Sequence, residues 1–231
     1  MSRQRLKVLL LNTKKSIPEI TAVVRRNSYE GNDFGYHAVY VSDDDSLHAT
    51  YSEKVEFNDE TYDPFGNVVE EISYVSYRNI EFHIETLDTN KLLMVIYNPP
   101  KSTRSFFNNF AQLLDFGVGY SSPELNLVAF KSSLETNLRS KLEGTGRIKV
   151  SRLIIDKTAK ATVELVSNKD AFESINKLVG EKEYKLDKLS SSISYEGHTI
   201  DFEISKSCSI RVRDEYIKYL LPSLKDTLKH N

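Results

Sequence analysis

The sequence lacks several features that identify common protein classes. It contains a single cysteine, Cys208, which excludes an internal disulfide and fits a reducing compartment. The only early apolar run, Val8 to Leu11, is too short for the core of a signal peptide, and no segment approaches the length of a membrane span. These absences predict a cytoplasmic protein that does not engage a membrane.

Recognisable catalytic and ligand-binding motifs are also missing. Gly117 and Gly119 follow a predicted helix, while Gly144 and Gly146 lead from a helix into a strand. A phosphate-binding loop instead follows a strand and leads into a helix, so that the amino end of the helix faces the phosphate. The histidines show no metal-ligand spacing with one another or with Cys208, and no serine lies in a nucleophile-elbow sequence. The sequence therefore predicts no catalytic residue, no metal site and no cofactor.

The net charge is small and unevenly distributed. At −2 over 231 residues, the chain lacks the basic bias of many nucleic-acid-binding proteins. Residues 1–100 contain 10 Lys and Arg against 16 Asp and Glu, a net charge of −6, whereas residues 101–231 contain 21 against 17, a net charge of +4. With the breakers Asn98, Pro99 and Pro100, this asymmetry predicts two domains, at residues 1–98 and 99–231.

The N-terminal half is dominated by alternating patterns typical of antiparallel strands. Strands are predicted at residues 6–11, 35–41, 47–57, 71–77, 80–85 and 91–97, with a turn at 63–66. We expect a meander of five or six strands. Glu81, His83 and Glu85 alternate with apolar residues, so we expect them to face solvent. The same three residues are candidates for metal ligands or an acid–base set, but polar-out alternation is the simpler interpretation.

The C-terminal half is organised around residues 125–195, which are predicted to form a βαββαβ unit. Leu125–Phe130 is a short apolar run that favours a buried strand, and a helix would begin at Ser132 or Ser133. Strands at 147–156 and 161–166 follow, then a helix capped by Asp170 and a closing strand from Leu189 to Tyr195. The predicted fold class is α+β, with a mainly antiparallel β N-terminal half and a ferredoxin-like C-terminal half extended by a β-hairpin and a terminal helix.

The predicted hairpin turns at Glu196-Gly197 and pairs Ile193 with Ile200, so that its outward face carries rows of serine, acidic and arginine residues. Asp201 and Glu203 in the acidic row suggest a metal-dependent nuclease as an alternative function. The position two residues after the second acid holds Ser205 instead of lysine. A cross-strand ladder of salt bridges is the simpler interpretation.

Two surfaces are candidates for binding. Basic residues are concentrated on the predicted second and third strands of the βαββαβ unit and would engage phosphates without base specificity. The tyrosine-rich N-terminal half could form a protein interface, with a partner or with a second copy of the chain. The sequence thus predicts a non-enzymatic, intracellular binding subunit of a larger assembly, contacting nucleic-acid backbone or a protein partner. The predicted nucleic-acid-binding residues are Arg147, Lys149, Arg152, Lys157 and Lys160.

Overall fold

The computed structural model describes residues 3–89, 91–156, 158–180 and 182–229. Within these ranges the chain is α+β, with a large antiparallel sheet of eleven strands and five helices. The predicted α+β class is therefore confirmed. None of the helices in these ranges is long and apolar enough to span a membrane.

The described residues form two compact units. The first unit comprises residues 3–10 and 87–89 together with those described from 120 to 229, and the second comprises residues 11–86 and 91–119. The turn at Asn98, Pro99 and Pro100 lies within the second unit. A division into domains at that turn stays a prediction.

The second unit is a meander with two helices. Its strands follow the order β2-β3-β4-β5. Helix α1 begins with a capping box, in which the Glu19 carboxylate accepts hydrogen bonds from the backbone amide and hydroxyl of Ser16. The elements are α1 (Ile17–Arg26), β2 (Phe34–Val41), β3 (Leu47–Tyr62), β4 (Val68–Asp88), β5 (Lys91–Tyr97) and α2 (Arg104–Leu113).

An aromatic cluster forms the core of the second unit. Tyr36, Tyr51 and Phe82 from three adjacent strands pack against Phe106 and Phe110 of α2, with ring centroids 5.2 to 6.4 Å apart, and all five side chains are buried. Alternation along each strand places these rings on one face of the sheet, and the helical spacing of Phe106 and Phe110 places both on one face of α2. Helix α2 therefore contributes Phe106 and Phe110 to the core.

The first unit contains the remaining strands, in the order β1-β11-β10-β9-β7-β8. Helix α4 begins at the predicted cap, because the Asp170 side chain accepts a hydrogen bond from the Phe172 amide, and it ends at Gly180, which takes a positive φ of 63°. The elements are β1 (Arg3–Thr13), β6 (Val118–Ser121), α3 (Leu127–Asn137), β7 (Leu142–Ile154), β8 (Lys160–Val166), α4 (Ala171–Val179), β9 (Lys185–Tyr195), β10 (His198–Ser205), β11 (Ser209–Arg213) and α5 (Ile217–Lys229).

The predicted hairpin between β9 and β10 is confirmed in its register. Tyr195 is opposite His198, and Ile193 is opposite Ile200, as the two-residue turn at Glu196-Gly197 requires. The buried face carries apolar pairs such as Ile204 with Leu189. The period of two then places the serines and carboxylates on the opposite face.

The prediction of a strand at Leu125–Phe130 is wrong. The segment instead begins α3, because the Asn126 side chain accepts hydrogen bonds from the Val128 and Ala129 amides, both at 3.1 Å. Leu127, Phe130 and Leu134 are buried at helical spacing. A six-residue apolar run does not distinguish a strand from a buried turn of helix.

The ferredoxin-like arrangement is not confirmed. The element order from β6 to β9 is indeed βαββαβ, but β6 pairs with β1. Strand β7 lies between β8 and β9, so three strands of this segment are adjacent and the first is not among them. Helix α3 packs against α5, with the Asn137 amide donating to the Ser223 hydroxyl at 3.0 Å.

Candidate functional site

Four of the five predicted nucleic-acid-binding residues lie on β7 and β8, and the fifth, Lys157, lies outside the described residues. Arg147 and Lys149 occupy the exposed face of β7, and Lys160 is exposed at the start of β8. The Arg147 Nε donates to the Glu164 Oε1 at 2.7 Å across the two strands. The structure thus brings these cations together on one surface, and their role in binding stays a prediction.

Arg152, the fourth of these residues, lies in a β-bulge. The register between β7 and β8 shifts between Val150 and Leu153, and Arg152 takes a positive φ of 56°. The bulge restores Leu153 to the buried face, so it explains why the alternation in the sequence slips at this point.

The two carboxylates of the nuclease hypothesis are both engaged in ion pairs. The Asp201 carboxylate lies 3.5 Å from the Arg3 guanidinium, and the Glu203 carboxylate lies 2.9 Å from the Lys188 ammonium and 3.9 Å from the Arg211 guanidinium. These contacts favour the salt-bridge ladder over a metal site. A nuclease activity stays an untested alternative.

The expectation that His83 and Glu85 face solvent is wrong, although Glu81 is exposed. Only 4% of His83 and 8% of Glu85 is accessible. The His83 Nδ1 lies 2.8 Å from the Tyr97 hydroxyl, and its ring stacks on that of His48 with centroids 5.1 Å apart. Among the described residues, no group of three His, Cys, Asp or Glu side chains could hold a metal ion.

An exposed part of the second unit is a two-stranded β-ribbon, residues 54–77, formed by the ends of β3 and β4. Strand β2 pairs with β3 only as far as Glu53, whereas β3 and β4 continue to pair from Lys54 opposite Tyr77 to Tyr62 opposite Val68. From Lys54 to Tyr62 the ribbon is about 27 Å long at the usual rise per strand residue. Among its described side chains none is buried, so both faces of the ribbon meet solvent.

One face of the ribbon continues the apolar side of the sheet. Val55 and Phe57 follow Tyr51 at a period of two and therefore lie on the core-facing side of β3. Ile72 and Tyr74 of β4 lie on the same face, and the Phe57 and Tyr74 rings stack with centroids 5.1 Å apart. These four residues, Val55, Phe57, Ile72 and Tyr74, are the ribbon face. Phe57, Ile72 and Tyr74 are 38–47% accessible.

Six tyrosines of the N-terminal half fall into two groups. Tyr36 and Tyr51 are buried in the core. The other four are 47–61% accessible, and all but Tyr40 belong to the ribbon; they are Tyr40, Tyr62, Tyr74 and Tyr77.

The ribbon is strongly acidic. Between Val55 and Tyr77 there is no lysine or arginine, and Glu60 lies directly opposite Glu71. Like charges on directly opposed residues destabilise a strand pair. The six carboxylates of this segment are Glu56, Asp59, Glu60, Asp63, Glu70 and Glu71.

A buried polar network fixes the base of the ribbon to α2. The Glu53 carboxylate accepts hydrogen bonds from the Arg78 Nη1 at 2.6 Å, the Ser105 Oγ at 2.8 Å and the Tyr51 hydroxyl at 2.9 Å. The Asn109 Nδ2 donates to the Tyr51 hydroxyl at 2.8 Å. Burial, reinforced by the hydrogen bond to Glu53, raises the pKa of Tyr51, so this hydroxyl remains a donor.

The ribbon was only partly visible in the sequence. The alternation on both sides of the turn at 63–66 predicts a hairpin there, but not its departure from the rest of the sheet. The clustering of carboxylates between Val55 and Tyr77, with no lysine or arginine among them, was the available signal.

Comparison of the chain with protein-family models finds no match, and comparison with curated proteins finds none either.

Proposed function

We propose that this protein is a non-enzymatic binding subunit of a larger assembly, and that it docks through the ribbon onto a protein partner with a basic surface. The observation that carries the proposal is the ribbon face, an exposed apolar patch on the same side of the sheet as the core. Exposed apolar patches rimmed by polar residues mark interaction sites. Tyrosine and phenylalanine are enriched in the buried centres of such interfaces.

Charge selects the class of partner. The ribbon carries six carboxylates and one cation, Lys54, so it would repel nucleic-acid phosphates and favours protein over nucleic acid. Pairing of the ribbon with the ribbon of a second copy would bring the same charges together, as Glu60 and Glu71 already are within one copy. A partner surface with lysine or arginine around an apolar centre would complement both the carboxylates of the ribbon and the apolar ribbon face.

The test compares capture by the wild-type protein with capture by the double variant Phe57→Ser and Tyr74→Ser, followed by titration with the purified partner. Both side chains are about half exposed, so docking would bury roughly half of each and contribute about 1 kcal/mol apiece. We expect Kd to rise by about 30-fold. The matched control, Val166→Ser with Leu178→Ser, removes exposed apolar side chains from the first unit and should bind like the wild type.

A second variant separates loss of binding from loss of ribbon structure. Replacing Asp59 by Asn and Glu70 by Gln removes two exposed carboxylates that lie on the same face as Phe57 and Tyr74, while the strand pairing is kept. Binding should nevertheless weaken and depend less on salt, because the attraction to a basic surface is reduced. Equal capture by the wild type and both variants would refute docking through the ribbon.

A further inference from the structure

The outward face of the sheet in the first unit carries three pairs of like-charged residues in direct cross-strand register. Arg3 is opposite Arg213 and Arg5 is opposite Arg211 between β1 and β11, and Lys149 is opposite Lys188 between β7 and β9. These six residues are the basic face. Their neighbours along the strands, such as Leu6, Val212 and Leu189, are buried on the other side.

Such pairs run against the local rules of strand pairing. Like charges directly opposite one another destabilise a sheet, whereas opposite charges at the same positions would stabilise it. The sheet does contain compensating carboxylates, since Asp201 contacts Arg3, Glu203 contacts Lys188 and Arg211, Glu215 lies 3.8 Å from Arg213, and Glu164 of β8 is directly opposite Lys149. The six cations of the basic face outnumber these four carboxylates. Violations of local stability rules are expected where a surface serves binding.

We propose that the basic face binds the phosphodiester backbone of a double-stranded nucleic acid without reading its base sequence. Arginine guanidinium groups match phosphate oxygens in a two-pronged geometry, and serine hydroxyls also donate to phosphates. Strand β9 presents Ser190 and Ser192 on this face, beside Lys188 and opposite Glu203 and Asp201 of β10. Arg147, which the sequence already predicts as a phosphate contact together with Lys149, extends the same surface along β7.

The side chains of this face distinguish the class of ligand. Single-stranded nucleic acids are held by stacking bases on aromatic rings, and protein interfaces have apolar or aromatic centres. The outward side chains described on β1, β11, β10 and β9 between the three pairs are charged or hydroxyl-bearing. A duplex offers phosphates at its surface and keeps its bases stacked, so it requires neither feature.

The experiment measures binding of the full chain to a 20-base-pair DNA duplex and an RNA duplex of the same sequence over a range of salt concentrations. A single-stranded DNA and a poly-glutamate peptide serve as competing probes. We expect duplex binding that weakens steeply with salt and is equal for two unrelated sequences. Tighter binding of poly-glutamate or of the single strand than of either duplex would overturn the proposal.

Two double variants test the residues. Arg211→Gln with Lys149→Gln removes one member of each of two like-charged pairs, so the slope of log K against log salt should become shallower by about 2. The thermal midpoint should not fall, since repulsion is relieved. The control, Lys169→Gln with Lys177→Gln, makes the same change of net charge at exposed sites near α4 and should retain the wild-type slope. An equal change in both variants would overturn the assignment to the basic face.

The basic face belongs to the first unit and the ribbon to the second, so the two binding activities are separable. Ribbon variants should keep duplex binding, and basic-face variants should keep capture of the protein partner. Loss of duplex binding in the Phe57→Ser and Tyr74→Ser variant would contradict this assignment.

Discussion

Replacing Arg78 by methionine should destabilise the second unit, because it leaves a buried carboxylate without its only cationic contact among the described residues. Glu53 is 7% accessible, and the Arg78 guanidinium contacts it at 2.6 Å. The same carboxylate keeps two hydroxyl donors, from Ser105 and Tyr51. Methionine preserves much of the apolar stem of arginine, so the substitution mainly removes charge and hydrogen bonds.

The magnitude follows from the burial of the pair. Removing one partner of a fully buried ion pair costs about 3–5 kcal/mol, and a hydrogen bond to a charged group contributes about 1.5–3 kcal/mol. The Arg78 side chain is 34% accessible, which lets water compensate part of the loss. With two donors retained, we expect the free energy of unfolding to fall by about 2 kcal/mol.

The matched control is Lys54→Met. Lys54 follows Glu53 on β3, the strand paired with that of Arg78. Its ammonium contacts the Glu56 carboxylate at the same distance of 2.6 Å, but this pair lies on the exposed surface of the ribbon. An exposed ion pair contributes little, so this variant should unfold like the wild type. Urea unfolding followed by circular dichroism measures both. Equal losses in the two variants, or no loss in Arg78→Met, would refute the reasoning that burial makes the difference.

Three further predictions concern single sites. Gly35→Ala should lower stability by about 1–3 kcal/mol, because the new Cβ would lie 2.6 Å from the Tyr29 Cα; Gly146→Ala, with no atom within 4 Å, is the control in urea unfolding. Hydrogen bonds from two serines lower the pKa of Asp44 from 3.8 to about 2, so its contribution to stability is complete above the unfolded pKa and is lost as pH falls towards 2. Thermal unfolding of the wild type and Asp44→Asn should therefore converge at low pH, and parallel curves would contradict this. Burial raises the pKa of Cys208 to about 12, so a thiol reagent should modify it only after unfolding, and rapid labelling of the native protein would be inconsistent with the structure.

Local signals in the sequence were sufficient for elements whose ends are set by a few neighbouring residues. The capping side chain of Asp170 and the terminating Gly180 define α4, and the Glu196-Gly197 turn sets the register of β9 and β10. In these cases the hydrogen bonds that decide the structure lie within a few positions along the chain. The prediction for residues 125–130 was wrong although its deciding signal is also local. The side chain that caps the helix, Asn126, lies inside the apolar run that resembled a strand.

The sequence by itself determined the α+β class, the positions of most strands and the concentration of positive charge in the C-terminal half. Only the tertiary structure decided which polar residues are buried, as His83 and Glu85 are, and which apolar residues are exposed, as Phe57 and Tyr74 are. It also placed Arg5 opposite Arg211 by pairing β1 with β11. Alternation specifies that a strand has two faces, but which face is covered and which strand is the neighbour depend on segments far away in the chain.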